Sequence, residues 1–253
     1  MKITVITICY NAAKDIGSTI ESVISQTYKD IEYVIVDGAS TDGTAKIVEE
    51  YRKKFPIVFV SEKDDGIYDA MNKGVGLASG QWINFMNAGD RFVEKDVVEK
   101  ISPFLTEGSD FVYGATEFRY DGFFVIRLPR PVSDFWKKMP YNHQSLFIKT
   151  TVLKEHPFDL AYRLAADYEQ LLFAIKNGKI FFKAPLTVAS FDNKGVSNTK
   201  TAEALREYAE ILKAYGELTL WRSWYYQSSP FKILGKKLTP GWLKKIVYRN
   251  FVH

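Results

Sequence analysis

The chain of 253 residues is short of several things, and each shortage closes off a class. It has one cysteine, Cys9, so no internal disulfide can form and a reducing compartment is the matching environment. Cys9 lies within the apolar run Lys2–Cys9 and reads as a small core residue rather than a nucleophile. No apolar run approaches the roughly 20 residues that a membrane span needs. The opening MKITVITICYN lacks a signal peptide's apolar core and small-residue cleavage site, and reads as a first core strand. No G-x-G-x-x-G follows that strand, Tyr10-Asn11-Ala12-Ala13 standing there instead, and there is no P-loop. A diphosphate, if one is bound, must be held by other means.

Acidic residues are missing from Leu218–His253, which carries Arg222, Lys232, Lys236, Lys237, Lys244, Lys245 and Arg249. The net charge of +4 therefore divides into a mildly acidic body, 1–217, and a basic tail, 218–253. At 46% apolar and 25% charged residues, the chain is too apolar for a disordered protein and ordinary for a globular enzyme.

The first half alternates two periodicities. Lys2–Cys9, Ile31–Val36, Pro56–Val60 and Trp82–Met86 read as strands, with helices over Asp15–Thr27, Thr41–Lys54 and Ile67–Ala78. That alternation predicts an α/β fold, a mostly parallel sheet flanked by helices, with ligands at the carboxyl ends of the strands. Residues 1–217 read as one domain whose pattern changes at about residue 100, followed by the basic aromatic tail 218–253. In the second half, strands are expected at Phe111–Tyr113, Glu117–Tyr120 and Phe123–Leu128 around an Asp121-Gly122 turn, then at Ser145–Ile148, Ile180–Lys183 and Leu186–Phe191. Helices are expected over Asp167–Asn177 and Thr201–Tyr215.

The informative residues follow the strands. Asp37 ends strand two, where a carboxylate can accept from a base N–H or from ribose hydroxyls. Ser40, Thr41 or Asp42 can cap the next helix. Strand four runs into Asn87-Ala88-Gly89-Asp90, whose small residues allow close backbone approach, while Asp90 offers a hard oxygen to a divalent ion bridging two phosphates. The same stretch also reads as a turn with Asp90 capping a helix. Asp167 reads as a helix N-cap or as a carboxylate base. His143, alone before a strand, reads first as structural.

Taken in order, TICYNAAKDIGSTIESVISQTYKDIEYVIVDGASTDGT, DDGIYDAMNKGVGLASGQWINFMNAGD, NHQSLFIK, HPFD and LAADYEQLLFAI resemble the family-two glycosyltransferases of GT-A fold, over about residues 1–195. Within that family they are most similar to the branch serving polysaccharide or lipopolysaccharide synthesis. The resemblance implies that the backbone near Ile8 and the Tyr10 ring line the base pocket, with Asp37 on the base and Asp65 helping to hold the nucleoside. It puts Asp90, and more weakly Asn87, in the metal motif for Mn²⁺ or Mg²⁺. Lys73 becomes a phosphate contact; the family commonly has Arg where Met71 stands. Asp167 takes the position of the catalytic base of inverting members, with Asp159 and Glu169 the next candidates. His143 and Gln144 fall on the acceptor or diphosphate side, and Lys194 in a late loop that reaches phosphate.

The expected activity is a metal-dependent, inverting transfer of a sugar from a nucleoside-diphosphate donor, UDP-linked, to a glycan or lipid-linked acceptor. A catalytically inactive nucleotide-sugar-binding scaffold is the alternative. Interleaved aromatic and basic residues in 218–253 suit peripheral contact with the inner face of the cell membrane, packing on the body, or a nucleic-acid patch, the last being the least expected.

Overall fold

Every residue of β1 (Ile3–Cys9) is buried, because both faces of this strand are covered. Ile3, Val5 and Cys9 face one core and Ile6 and Ile8 the other, the alternation that a pleated strand imposes. The computed structural model describes residues 1–120, 122–192 and 201–226, so Asp121, Lys194 and most of the basic tail lie outside the described residues.

Beside β1 run β2 (Ile31–Asp37), β3 (Ile57–Ser61) and β4 (Trp82–Phe85), all parallel to it in the order β3-β2-β1-β4. The crossovers are α1 (Ile16–Ile24), α2 (Thr44–Arg52) and α3 (Ile67–Leu77). The sheet continues through β5 (Arg91–Phe92), β6 (Phe111–Tyr120), β7 (Phe123–Arg127), β8 (Leu146–Lys149) and β9 (Phe181–Asp192), in the spatial order β4-β8-β6-β9-β5 with β7 on β6. Here the ladders are mixed: β8 is antiparallel to β4 and β6, whereas β6 and β9 are parallel. One core, under α1, α2 and α4 (Val97–Ile101), covers one face. The other lies under α3, α5 (Thr150–Glu155), α6 (Ala166–Lys176) and α7 (Thr201–Ala214).

Two pairs of expected short strands are single long ones. β6 and β9 run through Gly114 and Pro185 with a shifted register between Tyr113 and Thr116. A Cβ on Gly114 would overlap the Leu186 carbonyl, so the glycine is where the two strands approach too closely for a side chain. Gly74 does the same for α3, since a Cβ there would lie 2.6 Å from Ile6 Cγ2.

Among the described residues no helix is long and apolar enough to cross a membrane. The start of the basic segment packs on the body. Tyr226 is buried and its hydroxyl donates to the Trp136 carbonyl (2.6 Å), while the Arg222 guanidinium lies over the rings of Phe135 and Trp136. Leu220, Trp221 and Trp224 stay exposed.

Candidate active site

The carboxyl ends of β1 and β2 are tied by short polar contacts. Asn11 N–H donates to Ser40 Oγ (2.7 Å), and Asn11 Oδ1 accepts from the Thr41 amide (2.9 Å). Ala12 and Ala13 amides donate to Thr44 Oγ1 and Asp42 Oδ2. The sequence placed the helix cap on Ser40, Thr41 or Asp42; the N-cap position is Gly43 (φ 98°), Asp42 Oδ1 accepts from the Thr44 amide at the start of α2 (3.0 Å), and Ser40 Oγ and Asp42 Oδ2 also tie the two loops together. Among the described residues, Asn11 and Ala39 are the two non-glycine residues with positive φ (47° and 59°), both at these strand ends, where such strain marks functional loops.

Asp37 is wholly buried at the end of β2. Its carboxylate accepts from the Ser40 amide (3.0 Å), Ser40 Oγ (2.5 Å) and Ser61 Oγ (2.6 Å). Two of these donors are rotatable hydroxyls, which a ligand N–H can replace. Tyr10 is 66% exposed above this site. Ile8 contributes through its backbone, and its carbonyl accepts from the Ala88 amide (3.2 Å).

Asp64, which the sequence reading passed over in favour of Asp65, is the acid beside Tyr10. A Cβ on Gly38 would overlap Asp64 Oδ2 and come within 3.3 Å of the Tyr10 ring. Asp65 is exposed at the start of α3, its amide donating to Asp69 Oδ2 (3.0 Å). Lys73 pairs with Glu62 (3.0 Å) and Asp69 (3.2 Å) and donates to the Lys63 carbonyl. It is thus held between the end of β3 and the first turn of α3. Met71 is core, 1% exposed.

The loop after β4 is built to hold its shape. Ala88 N–H bonds the Ile8 carbonyl, and Asp90 N–H closes a turn on the Asn87 carbonyl (2.9 Å). Gly89 takes φ 97°, a left-handed conformation that a side chain disfavours. Thr19 of α1, fully buried, accepts from the Gly89 amide and donates to the Asp90 carbonyl (2.8 Å). Arg119 on β6 donates to the Gly89 carbonyl (2.6 Å). Asp90 is itself buried, and its carboxylate faces Gln144.

Gln144 arrives by strand register. Because β8 is antiparallel to β4, the residues just before β8 lie beside those just after β4. A 3-10 turn, His143–Ser145, occupies that place. Asn84, wholly buried within β4, donates to the Gln144 carbonyl (3.0 Å) and the Leu146 carbonyl (2.9 Å), and so clamps the turn. Gln144 Nε2 then donates to Asp90 Oδ2 (2.7 Å), while Asn87 Nδ2 contacts His143 Nε2 (2.9 Å). That contact fits a neutral imidazole protonated on Nδ1, and burial lowers the His143 pKa against the opposing pull of Asp167.

Asp167 is within electrostatic reach of His143. It is the second residue of α6, whose N-cap is Ala165, so it is not the cap that its sequence context suggested. Its carboxylate accepts from the Tyr68 hydroxyl (2.9 Å) and its neighbour's amide. Burial raises its pKa above the usual carboxylate value, with the neighbouring His143 and the Tyr68 bond opposing that rise. Glu169 is turned away onto His156 and the Tyr215 hydroxyl. Asp159 is engaged with its own loop, accepting from the Ala161 amide. Lys194 lies outside the described residues.

The donor set around Asp90 suits a hard cation. Asn87 Oδ1 and Gln144 Oε1 are buried oxygens with no hydrogen-bond partner among the described residues, both on side chains flanking Asp90. Unpartnered buried acceptors carry a desolvation cost that a cation or its water would relieve. Oxygen donors without thiolate suit Mg²⁺ or Mn²⁺. Among the described residues no group of three His, Cys, Asp or Glu could hold a metal, so Asp90 would be the charged ligand and amide oxygens, water and phosphate would fill the remaining positions.

Sheet order and the acidic loop after β4 define a GT-A transferase fold. Residues 4–171 match Glycosyl transferase family 2, and the chain belongs to that family. It is a glycosyltransferase acting on a nucleotide-sugar donor. A PGL/p-HBAD biosynthesis glycosyltransferase of Mycobacterium bovis is 32% identical over 201 residues, covering 75% of this chain and 76% of the relative. The mannosyltransferase PcManGT of Pyrobaculum calidifontis, solved with GDP-Man and Mn²⁺, superposes with a TM-score of 0.69 at 17% identity, covering 95% of this chain and 76% of that one. S. aureus TarS 1–349, solved with UDP, has a TM-score of 0.66 at 22% identity over 84% of this chain; the match spans 65% of that fragment.

Proposed function

We propose a metal-dependent, inverting transfer of a sugar from a UDP-linked donor to a glycan or lipid-linked acceptor in cell-surface polysaccharide synthesis. One observation carries this reading. Consecutive residues of a single turn, His143 and Gln144, link the cation candidate Asp90 and its neighbour Asn87 to the base candidate Asp167. In this reading the diphosphate is held at Asp90 and the acceptor hydroxyl at Asp167.

Tyr10, Asp37 and Asp64 hold the nucleoside at the ends of β1 and β2, with the Ile8 backbone beneath. Asp65 and Lys73 have weaker claims, both being engaged on the exposed start of α3. A divalent cation bound by Asp90 and the amide oxygens of Asn87 and Gln144 would offset charge on the departing diphosphate. Asp167 takes the acceptor's proton as the hydroxyl attacks the anomeric carbon. Its raised pKa makes it a stronger base than an ordinary carboxylate, and the Tyr68 hydroxyl fixes one of its oxygens so that the other faces the acceptor. One base and one displacement invert the anomeric centre. Solved neighbours holding UDP, or GDP-Man with Mn²⁺, support a nucleotide donor and a divalent ion, and the relative named for PGL/p-HBAD biosynthesis supports a glycan pathway.

We place the protein in the cytoplasm, peripheral on the inner membrane face. Exposed Leu220, Trp221 and Trp224, next to a basic stretch without acidic residues, support that location. The catalytic reading is tested by Asp90→Ala and Asp167→Asn together. Both should lose transfer, and only Asp90→Ala should lose the metal-dependent part of nucleotide binding. Full transfer by folded Asp167→Asn would overturn the base assignment.

A further inference from the structure

Gly89 and Asp90 each carry a backbone N–H and a carbonyl, and all of these groups are engaged. One bond stays inside the loop, from the Asp90 amide to the Asn87 carbonyl (2.9 Å). The others go to two side chains from distant elements. Thr19 Oγ1 on α1 accepts from the Gly89 amide (3.0 Å) and donates to the Asp90 carbonyl (2.8 Å), so one hydroxyl commits its proton and a lone pair to consecutive residues. Arg119 on β6 donates through Nη2 to the Gly89 carbonyl (2.6 Å).

The same guanidinium reaches past the loop. Its Nη1 donates to the Ser190 carbonyl (2.9 Å) and to Ser190 Oγ (2.8 Å), and Ser190 Oγ donates to Glu117 Oε1 (2.5 Å). Ser190 lies in β9 opposite Arg91, the first residue of β5 and the one that follows Asp90. Arg119 therefore bonds the residue before Asp90 and also the strand that pairs with the residue after it. Ala88 and Gly89 have no polar side chain with which to hold the loop themselves, so its shape is imposed from α1 and β6.

A fixed backbone here has a chemical use. Asp90 is buried, and its carboxylate is the charged ligand in the cation reading. Groups behind a metal's ligands set its affinity by holding those ligands in place. Neither side chain is suited to be a ligand itself: a guanidinium is cationic and has no acceptor, and the Thr19 hydroxyl is already committed on both sides. We propose that Thr19 and Arg119 are positioning residues for the cation site, fixing the Gly89–Asp90 peptide and with it the Asp90 carboxylate. The proposal rests on the reading of Asp90 as a metal ligand.

The test measures Mn²⁺ affinity of the full chain with UDP present, from the free-ion signal in electron paramagnetic resonance, and UDP affinity without metal, by calorimetry. Wild type is compared with Thr19→Val, Thr19→Ser, Arg119→Met and Arg119→Lys. Thr19→Val keeps the shape and removes the hydroxyl; Thr19→Ser keeps the hydroxyl and removes the methyl. Thr19→Val and Arg119→Met should each weaken Mn²⁺ binding by about 10–100-fold, the usual effect of losing a partner behind a metal ligand. Thr19→Ser should bind Mn²⁺ like wild type, whereas a packing role predicts the opposite order. Arg119→Lys keeps the charge without the two-armed reach and should also bind Mn²⁺ more weakly, which decides the case if Arg119→Met does not fold. UDP affinity without metal should be the same in all five proteins. Wild-type Mn²⁺ affinity in folded Thr19→Val, or in the folded Arg119 variants, would overturn the proposal. So would an equal loss of metal-free UDP binding, which would make Arg119 a contact to the donor. If wild type itself shows no Mn²⁺ binding with UDP, the cation reading falls and this proposal with it; Mn²⁺ binding present in wild type and unchanged in the variants strikes this proposal alone.

Discussion

Replacing Asp167 by Asn should abolish transfer and leave the fold at least as stable as before. The side chain keeps its shape, and an amide oxygen can still accept from the Tyr68 hydroxyl 2.9 Å away. Only the charge goes. General-base assistance typically contributes about 10²–10⁴-fold in rate, or about 2.7–5.4 kcal/mol of barrier at 1.36 kcal/mol per tenfold. Stability runs the other way. Losing the charge forfeits about 0.3–1 kcal/mol of interaction with the start of α6 and on the order of 1 kcal/mol of charge assistance in the Tyr68 bond. Burial outweighs these together with the help from His143, because the carboxyl pKa lies above its ordinary value in the folded protein. A raised folded-state pKa means that ionised Asp167 costs stability above that pKa, and the cost disappears as pH falls below the ordinary carboxylate range. The variant should therefore match or exceed wild type in Tm at neutral pH, with the difference closing on acidification. Initial transfer rates and thermal unfolding across pH, measured on both proteins, check it. A rate within about tenfold of wild type, less than a general base contributes, would refute the reasoning.

Tyr68→Phe removes a donor that holds the Asp167 carboxyl pKa down, so the acid limb of the kcat/KM profile should move to higher pH; an unmoved limb would mean that Tyr68 is only packing. Gly74→Ala gains about 1 kcal/mol of helix propensity but drives a methyl onto Ile6 in a tight α3–β1 contact, which costs about 1–3 kcal/mol; chemical denaturation should show no net stabilisation. Asn84→Leu leaves the Gln144 and Leu146 carbonyls without their buried donor and should cost about 2–4 kcal/mol. It should also lower kcat more than it weakens nucleotide binding, because the turn it clamps carries His143 and Gln144.

Much of this fold was legible because the first half alternates strand and helix with clear apolar periodicity, and register then follows from burial on both faces of β1 and β2. What stayed hidden depended on long-range pairing. Nothing local says that β8 runs antiparallel to β4, yet that pairing alone brings Gln144 to Asp90. The apolar pattern splits β6 and β9 into two short runs each, whereas each is one strand that shifts register near Gly114 and Pro185. Asp90, Asn87, His143 and Asp167 were readable from motif resemblance; Asn87 contacts His143, Gln144 contacts Asp90, and Asp167 is within electrostatic reach of His143. Asp64 and Asp65 are adjacent acids, and only the geometry at Gly38 separates the one beside Tyr10 from the one at the helix start. Asn84 did leave a signal: an amide in the middle of a buried strand needs partners, and its partners are the backbone of the turn next door.

The most direct test of the account is the thermal shift of wild type and Asp90→Ala with UDP, GDP, CMP and dTDP, each with and without Mn²⁺. A ligand that binds only the folded state at about 100 times its Kd adds about 2.7 kcal/mol. One nucleotide should raise the wild-type Tm, and Mn²⁺ should enlarge that shift. In Asp90→Ala the metal-dependent increment should vanish while the metal-free shift persists. An increment that survives in Asp90→Ala, or no nucleotide shift in folded wild-type protein, would contradict it.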